Sequence, residues 1–342
     1  MSGYLVREFG GPEVMQATEV VPREPGPSQI RVAVAFAGVN FLDIHQLSGR
    51  YPRPLPFVPG NEGSGIVRDV GADVVGFVSG DRVAFAMHAG GSYADEVLVE
   101  SERVAHVPPT VSLKAAAAIT LQGVTAICLV EDEGRVEPGD VVLVHSASGG
   151  AGAAITQLAR EAGARVLGLV STPEKVGLAK AAGAHVVALY PMSGASYAEW
   201  VRSETDGRGA RVVFNAVGGD TLGPDLDALA RRGHLVVYGQ TAGPFPAFSP
   251  GRLASSSLTI TYSRVSSYIA DVGAFAAKAE RLFELVSVAA VAAPNLTVLP
   301  WRRAADAHVA LASRTSLGKM ILGFRGEAGR ADSALRGHKT GD

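Results

Sequence analysis

The stretch Val141–Val170, VVLVHSASGGAGAAITQLAREAGARVLGLV, constrains the fold more than any other part of the chain. The apolar run Val141–Val144 is short enough to be a buried parallel strand. A Gly-rich turn follows, Ser148–Gly149–Gly150–Ala151–Gly152. Ala153–Ala162 is a run of helix formers with apolar residues at Ile155, Leu158, Ala159 and Ala162. Gly163 is the helix stop, and Arg165–Val170 is the next strand. Together they make one βαβ unit of roughly 30 residues. Small residues in such a turn let the backbone approach a pyrophosphate, and the helix N-terminus offers N–H groups and the positive end of its dipole. Against G-x-G-x-x-G, the chain has Ala147–Ser148–Gly149–Gly150–Ala151–Gly152, with alanine in place of the first glycine. Strand before and helix after point to dinucleotide binding. Tight packing with no ligand is the alternative.

The end of the second strand bears on which dinucleotide. A site for NAD usually carries Asp or Glu about 20 residues after the glycines, bonded to the ribose hydroxyls. Here Leu169–Val170–Ser171–Thr172 fills that place, and Lys175 follows. No carboxylate repels a 2′-phosphate, and two hydroxyls and an ammonium are available to bond it. NADPH is expected over NADH, unless Lys175 is only a solvated helix residue.

Before this unit the chain reads as short strands and turns. Gln29–Ala37 alternates with Ile30, Val32, Val34 and Phe36 on one face, and Phe41–Ser48 reads as a short helix. Strands follow at Gly63–Val70, Val83–Met87 and Asp95–Val99, so a compact, partly open β-barrel is expected. Leu113–Thr120 reads as a helix leading out of it. From about Gly123 strands alternate with helices: Lys175–Ala182 helix, His185–Leu189 strand, Ala198–Glu204 helix, Arg211–Asn215 strand, Leu222–Leu229 helix and Gly233–Tyr238 strand. That is the pattern of a doubly wound parallel sheet, an α/β fold. Its strand ends make Asn215 with Ala216–Gly218, and Gly239 with Gln240, candidates for the ligand crevice, although glycines there also simply end strands. Leu258–Tyr262 reads as a last strand, Val272–Val286 and Arg303–Ser313 as helices, and Lys319–Phe324 as a strand. These last elements fit the first domain, which makes it discontinuous: 1–122 with 264–326, around a nucleotide-binding domain at 123–263. A polar tail, 327–342, is expected to be mobile.

Composition narrows the class. With 342 residues and a net charge of −2, the chain is long enough for about two domains and has no basic excess for nucleic acid or an anionic membrane. A single cysteine, Cys128, excludes a disulfide framework and a cysteine zinc lobe, and reads as a small buried hydrophobe. No signal peptide or bilayer-length apolar run is read, so a cytoplasmic protein is expected.

Several stretches, in this order and spacing, resemble the zinc-free quinone oxidoreductases of the zeta-crystallin type, within the medium-chain dehydrogenase/reductase superfamily. They are FGGPEVM (Phe9–Met15), AGVNFLDIHQLSGRYP (Ala37–Pro52), PGNEGSGIV (Pro59–Val67), GDRVA (Gly80–Ala84), LQGVTA (Leu121–Ala126), HSASGGAG (His145–Gly152) and SRTSLGKMIL (Ser313–Leu322). The resemblance implies a GroES-like catalytic domain with a Rossmann domain, NADPH as cofactor, and a homodimer. Zinc members carry cysteine at the place of Asn40 and histidine at that of Asn61. Neutral amides do not replace thiolate and imidazole on zinc, so no metal is expected.

Without a Lewis acid, the fitting substrates are already electrophilic: a quinone or an α,β-unsaturated carbonyl. The resemblance places Asn40 and Tyr51 as catalytic donors to the carbonyl; Tyr51 otherwise packs on the Pro-rich loop. It implies cofactor contacts at Asn40, Phe41, Asp43, Gly149, Gly150, Ser171, Lys175, Tyr190, Gly239, Gln240 and Arg314, and Thr125, Gly152 and Asn215 are expected to join them. Lys175, Tyr190 and Arg314 are the 2′-phosphate set, with core packing open for Tyr190 and a solvated helix cap for Arg314. Asp43 anchors either the Asn40 loop or a ribose. An enoyl-thioester reductase, or an NADPH-binding protein with little turnover, are the other readings. The β-rich strand Leu258–Tyr262, last in its sheet, is the expected two-fold dimer edge.

Overall fold

A computed structural model describes residues 2–21, 23–87, 91–190, 196–292, 295–313 and 318–324. Arg314 and the expected tail, 327–342, lie outside the described residues. In chain order the first elements are β1 (Ser2–Leu5), β2 (Gln16–Glu19), β3 (Gln29–Gly38), α1 (Phe41–Leu47), β4 (Glu62–Val70), β5 (Arg82–Ala86), β6 (Glu96–Glu100), β7 (Val104–His106) and α2 (Leu113–Ile127). Next are β8 (Val141–Val144), α3 (Gly150–Glu161), β9 (Arg165–Val170), α4 (Glu174–Ala181), β10 (Val186–Leu189), α5 (Ala198–Ser203), β11 (Ala210–Asn215), α6 (Leu222–Ala228) and β12 (Leu229–Val237). The last are β13 (Thr259–Tyr262), α7 (Val265–Tyr268), α8 (Ala274–Ser287), β14 (Thr297–Pro300), α9 (Ala304–Ala312) and β15 (Met320–Gly323).

The chain divides into two compact units: Met1–Leu121 with Asp271–Ser287 and Asn295–Asp342, and Gln122–Ala270 with Val288–Pro294. Residues 264–270 and 288–294, expected with the first unit, are thus grouped with the second.

The first unit is built on β3. Its alternating apolar residues Ile30, Val32, Val34 and Phe36 are all buried. β3 pairs antiparallel with β4 along most of its length, with β6 over Gln29–Ala33, and with β15 over Phe36–Gly38. Register shifts against β4 at Arg31/Val32 and Val34/Phe36 bend the strand, which is how a sheet curls toward a barrel. The resulting sheet runs β14-β15-β3-β4-β5-β7. The short strands β1, β2, β7 and β14 have too few residues to show a period, and the sequence did not reveal them.

The second unit is a six-stranded parallel sheet in the order β10-β9-β8-β11-β12-β13. Numbered within the unit this is 3-2-1-4-5-6, the Rossmann order, with its switch point between β8 and β11. Leu143, Leu167, Val213 and Leu235 from four adjacent strands are fully buried and form its core.

Three expectations need correction. α2 does not stop at Thr120: it runs through Gly123 and continues as a π-type winding over Cys128–Glu133. The combined 21-residue helix is long and apolar enough by composition to cross a membrane, contrary to the reading that no run was. Most of it is instead buried within the protein, Cys128 included at 0% exposure. α3 begins at Gly150, not Ala153, so Gly150 and Gly152 lie in its first turn and Gly149 is its N-cap.

Candidate active site

Two polar constellations stand out, one in each unit. The first begins where β3 ends. Asn40 is the N-cap of α1 in extended backbone, and it forms a capping box with Asp43. The Asn40 N–H donates to Asp43 Oδ2 at 2.8 Å. The Asn40 side chain faces charge: its Nδ2 donates to Glu62 Oε2 at 3.1 Å, and Lys319 Nζ donates to its Oδ1 at 2.8 Å. Lys319 also donates to Glu62 Oε2 at 2.7 Å, and the Leu121 N–H donates to Glu62 Oε1 at 2.6 Å. Glu62 and Lys319 are 0% and 2% exposed, so this is a fully desolvated ion pair. Gly38 makes room for it: a Cβ there would stand 2.1 Å from Glu62 Oε2 and 2.9 Å from the Ala117 carbonyl oxygen.

Asp43 is buried beside this cluster. Its Oδ1 accepts from Asn61 Nδ2 at 2.6 Å, and its Oδ2 accepts from the Tyr93 hydroxyl at 3.4 Å. Burial pushes its carboxyl up to about 6, partly opposed by the hydrogen bonds from Asn61 and the Asn40 backbone. Asn61 is held in turn by Gln46, amide to amide, at 2.8 and 3.1 Å. Behind Tyr93 stands His308, whose Nε2 is 3.0 Å from the hydroxyl; burial lowers its imidazole to about 4. These bonds make Asp43 an anchor of the Asn40 loop, the first of its two expected roles.

Tyr51 is 38% exposed, and its ring stands edge-on to the His45 imidazole at 5.3 Å, while its N–H donates to the His45 carbonyl at 3.0 Å. Phe41, the first residue of α1, lies with its ring 6.4 Å from His45. Burial, with Arg50 adding to it, lowers the His45 imidazole.

The second constellation lies at the switch point of the parallel sheet. The glycines have different jobs. A Cβ on Gly152 would meet the Ser146 carbonyl oxygen at 2.2 Å, so that glycine is required by packing alone. A Cβ on Gly150 would first meet the Gln122 side-chain amide, at 2.2 Å at its nearest atom, and one on Gly149 only the Ser146 carbonyl oxygen, at 3.3 Å. Gly149 therefore leaves the N-terminus of α3 without a covering side chain, where first-turn N–H groups lack intrahelical acceptors. At the end of β9, Lys175 Nζ donates to Ser171 Oγ at 3.2 Å, Ser171 being exposed and Lys175 half-buried. The nearest acid in sequence, Glu174, is exposed, and bonding to Thr172 holds its carboxyl low.

Tyr190 lies beside the end of β9, where its N–H donates to the Val170 carbonyl at 3.0 Å. Its hydroxyl accepts from the Ser146 N–H at 3.2 Å and lies 3.0 Å from His145 Nδ1. His145 Nε2 is 2.8 Å from Asp225 Oδ1, both residues being fully buried. Asp225 also accepts from the Tyr197 hydroxyl at 2.5 Å and from Asn215 Nδ2. Asn215 too is 0% exposed, and its Oδ1 accepts the N–H groups of Val217 and Gly218 at 2.6 and 3.2 Å. Tyr190 and Asn215 thus brace the turns after β8 and β11 from within. Thr125 lies half-buried on α2; Gly239 and Gln240 follow β12 half-buried, and a Cβ on Gly239 would touch the Ala216 carbonyl oxygen at 3.1 Å.

Sequence reasoning gave no role to Lys319, His145, Asp225, Tyr93 or His308. One signal was present: Asp225 falls between Leu222 and Leu226 on the apolar stripe of α6, where an acid needs a buried partner. Lys319 gave a weaker one, a lysine directly before the buried strand Met320–Gly323.

Comparison with known proteins gives the family. The alcohol dehydrogenase GroES-like domain family matches residues 26–109, and the zinc-binding dehydrogenase family matches 150–282. A quinone oxidoreductase from Pseudomonas aeruginosa is 36% identical over 92% of this chain and 97% of its own. A 2-haloacrylate reductase from a Burkholderia species is 34% identical over 93% of this chain and 97% of its own. The crystal structure of Escherichia coli quinone oxidoreductase complexed with NADPH superposes with a TM-score of 0.88 at 32% identity, covering 95% of this chain and all of that one, 100%. The chain belongs to the quinone oxidoreductase family of the medium-chain dehydrogenases/reductases.

Proposed function

We propose that the protein is a metal-independent reductase that uses NADPH to reduce a quinone or an α,β-unsaturated carbonyl. The observation that carries this reading is the buried pair of amides, Asn40 and Asn61, held by Lys319, Glu62, Asp43 and Gln46. They make a hydrogen-bonding site. Among the described residues, no group of three or more His, Cys, Asp or Glu could hold a metal ion.

The residues of the parallel-sheet unit suit NADPH. The N-terminus of α3 behind Gly149 offers N–H groups and a positive dipole end to a pyrophosphate. The Ser171–Lys175 pair offers a hydroxyl and an ammonium to a 2′-phosphate, with no carboxylate in the place that would bond an unphosphorylated ribose. When bound, NADPH supplies the hydride. The chain's part is to hold the acceptor and to donate hydrogen bonds to its oxygen as negative charge develops, through the Asn40 amide and the Tyr51 hydroxyl, with water completing the protonation. His45, edge-on to Tyr51, sets the orientation of that ring. We place the protein in the cytoplasm as a homodimer; β13, at the edge of its sheet, supports the second point.

The test is NADPH oxidation with benzoquinones, naphthoquinones, enones and enoyl-CoA esters. Turnover of quinones or enones is expected. Tight NADPH binding with no turnover of any acceptor would favour a binding protein, and turnover confined to enoyl-CoA would favour a thioester reductase.

A further inference from the structure

We infer that Lys319 is a positioning residue for Asn40: its ammonium fixes which end of the amide is presented to the substrate oxygen. This rests on the function proposed above. The two ends of an asparagine amide have nearly the same shape and opposite hydrogen-bonding character. An oxygen turned toward a developing oxyanion repels it, whereas an N–H stabilises it. Which end points where is ordinarily an assignment from the surrounding network.

Here the network leaves one arrangement. Lys319 carries only donors, so the end of Asn40 that lies 2.8 Å from its Nζ is the oxygen. Glu62 is ion-paired to the same ammonium at 2.7 Å, so its carboxylate only accepts, and the end of Asn40 lying 3.1 Å from it is the nitrogen. A flipped amide would set oxygen against carboxylate and N–H against ammonium at once. With Glu62 at 0% and Lys319 at 2% exposure, no solvent screens that error.

Stability does not explain the arrangement. A buried ion pair is often no better than an apolar pair of similar volume, because both charges lose their hydration. The geometry does explain it if the amide must keep one face toward the substrate. As the acceptor takes up hydride from NADPH, the electron pair moves onto its oxygen, which water then protonates. The pinned Nδ2 end meets that charge without having to reorient.

The experiment uses Glu62→Gln/Lys319→Met, which removes both charges and strands neither. kcat and KM are measured with a strongly electrophilic quinone and a weakly electrophilic enone, and the NADPH dissociation constant by fluorescence titration. A weaker electrophile depends more on stabilisation of its oxyanion. kcat for the enone is therefore expected to fall about tenfold to a hundredfold, less than the roughly hundred- to thousandfold loss when such a donor is deleted. The quinone should lose far less, and the NADPH dissociation constant should stay within about twofold. Equal losses on both acceptors mean a structural role, and unchanged kcat on both means no role; either overturns the inference. Lys319→Arg keeps the cation and should keep the wild-type ratio of enone to quinone kcat, which guards against a double variant that fails to fold. A ratio collapsed in Lys319→Arg as well would also overturn it. No turnover by the unaltered chain would sink the proposed function and this inference together, whereas turnover with uniform losses sinks this inference alone.

Discussion

His308 Nε2 lies 3.0 Å from the Tyr93 hydroxyl, and both side chains are fully buried. Tyr93 donates onward to Asp43, so the bond from His308 is best made by an Nε2–H group. His308 Nδ1 is buried without a partner. A bare lone pair there costs less than an orphaned N–H would.

That line of groups gives opposing pH effects on stability. An unfolded histidine titrates near 6.5, and buried His308 near 4. Its contribution is complete above 6.5 and is lost as pH falls through about 4. Asp43 runs the other way: its contribution is complete below 3.8 and is lost as pH rises through about 6. His308→Phe keeps the ring and removes one titration. Between pH 7 and pH 4, the variant should lose up to about 3 kcal/mol less stability than the unaltered chain. Urea unfolding at both pH values measures the difference; the same loss in both proteins would show that His308 does not titrate as described.

Lys175→Ala should weaken NADPH binding by about tenfold to a hundredfold, the loss of one charge-assisted bond. NADH, which lacks the 2′-phosphate, should be little affected. Ser171→Asp should push the preference further toward NADH by repelling the phosphate. The ratio of kcat/KM for the two cofactors decides it. Equal losses would make Lys175 structural, and a wild-type preference for NADH would end the argument from the missing carboxylate.

Tyr190→Phe should behave differently. It removes the acceptor of the Ser146 N–H and the partner of His145 Nδ1. Stability should fall by about 1–3 kcal/mol, and both cofactors should weaken in equal proportion. A loss confined to NADPH would return Tyr190 to the phosphate site.

Activity should survive chelation. Elemental analysis is expected to find no stoichiometric zinc, since Asn40 and Asn61 are neutral amides bonded to Lys319, Glu62, Asp43 and Gln46. One zinc per chain, with activity lost to EDTA, would refute this.

Association should run through β13. Tyr262 on that edge is 50% exposed. Tyr262→Lys should shift the chain from dimer to monomer in light scattering at micromolar concentration. A wild-type chain that is already monomeric there would rule the edge out.

The parallel-sheet unit was legible in the sequence because its signals are local. Val141–Val144, a glycine turn and a run of helix formers lie within one βαβ segment, and each strand contributes a continuous apolar run. The amides at Asn40 and Asn61 were legible too, because motifs carry residue identity. Helix ends were less so. The helix expected over Leu113–Thr120 runs on through Gly123 to Ile127, where packing overrides propensity.

What only the tertiary structure decided is how charges meet across long separations. Lys319 reaches Glu62 across 257 positions, and Tyr93 reaches His308 across 215. Nothing periodic links such pairs. Tyr190 carries the same lesson: the resemblance places it with Lys175 at a 2′-phosphate, and only the fold shows its hydroxyl against His145 and Ser146. Sequence fixes which donors and acceptors exist, and where local hydrogen bonding shapes the backbone. Burial decides which of them must find one another, because a polar group removed from water is stable only beside its partner.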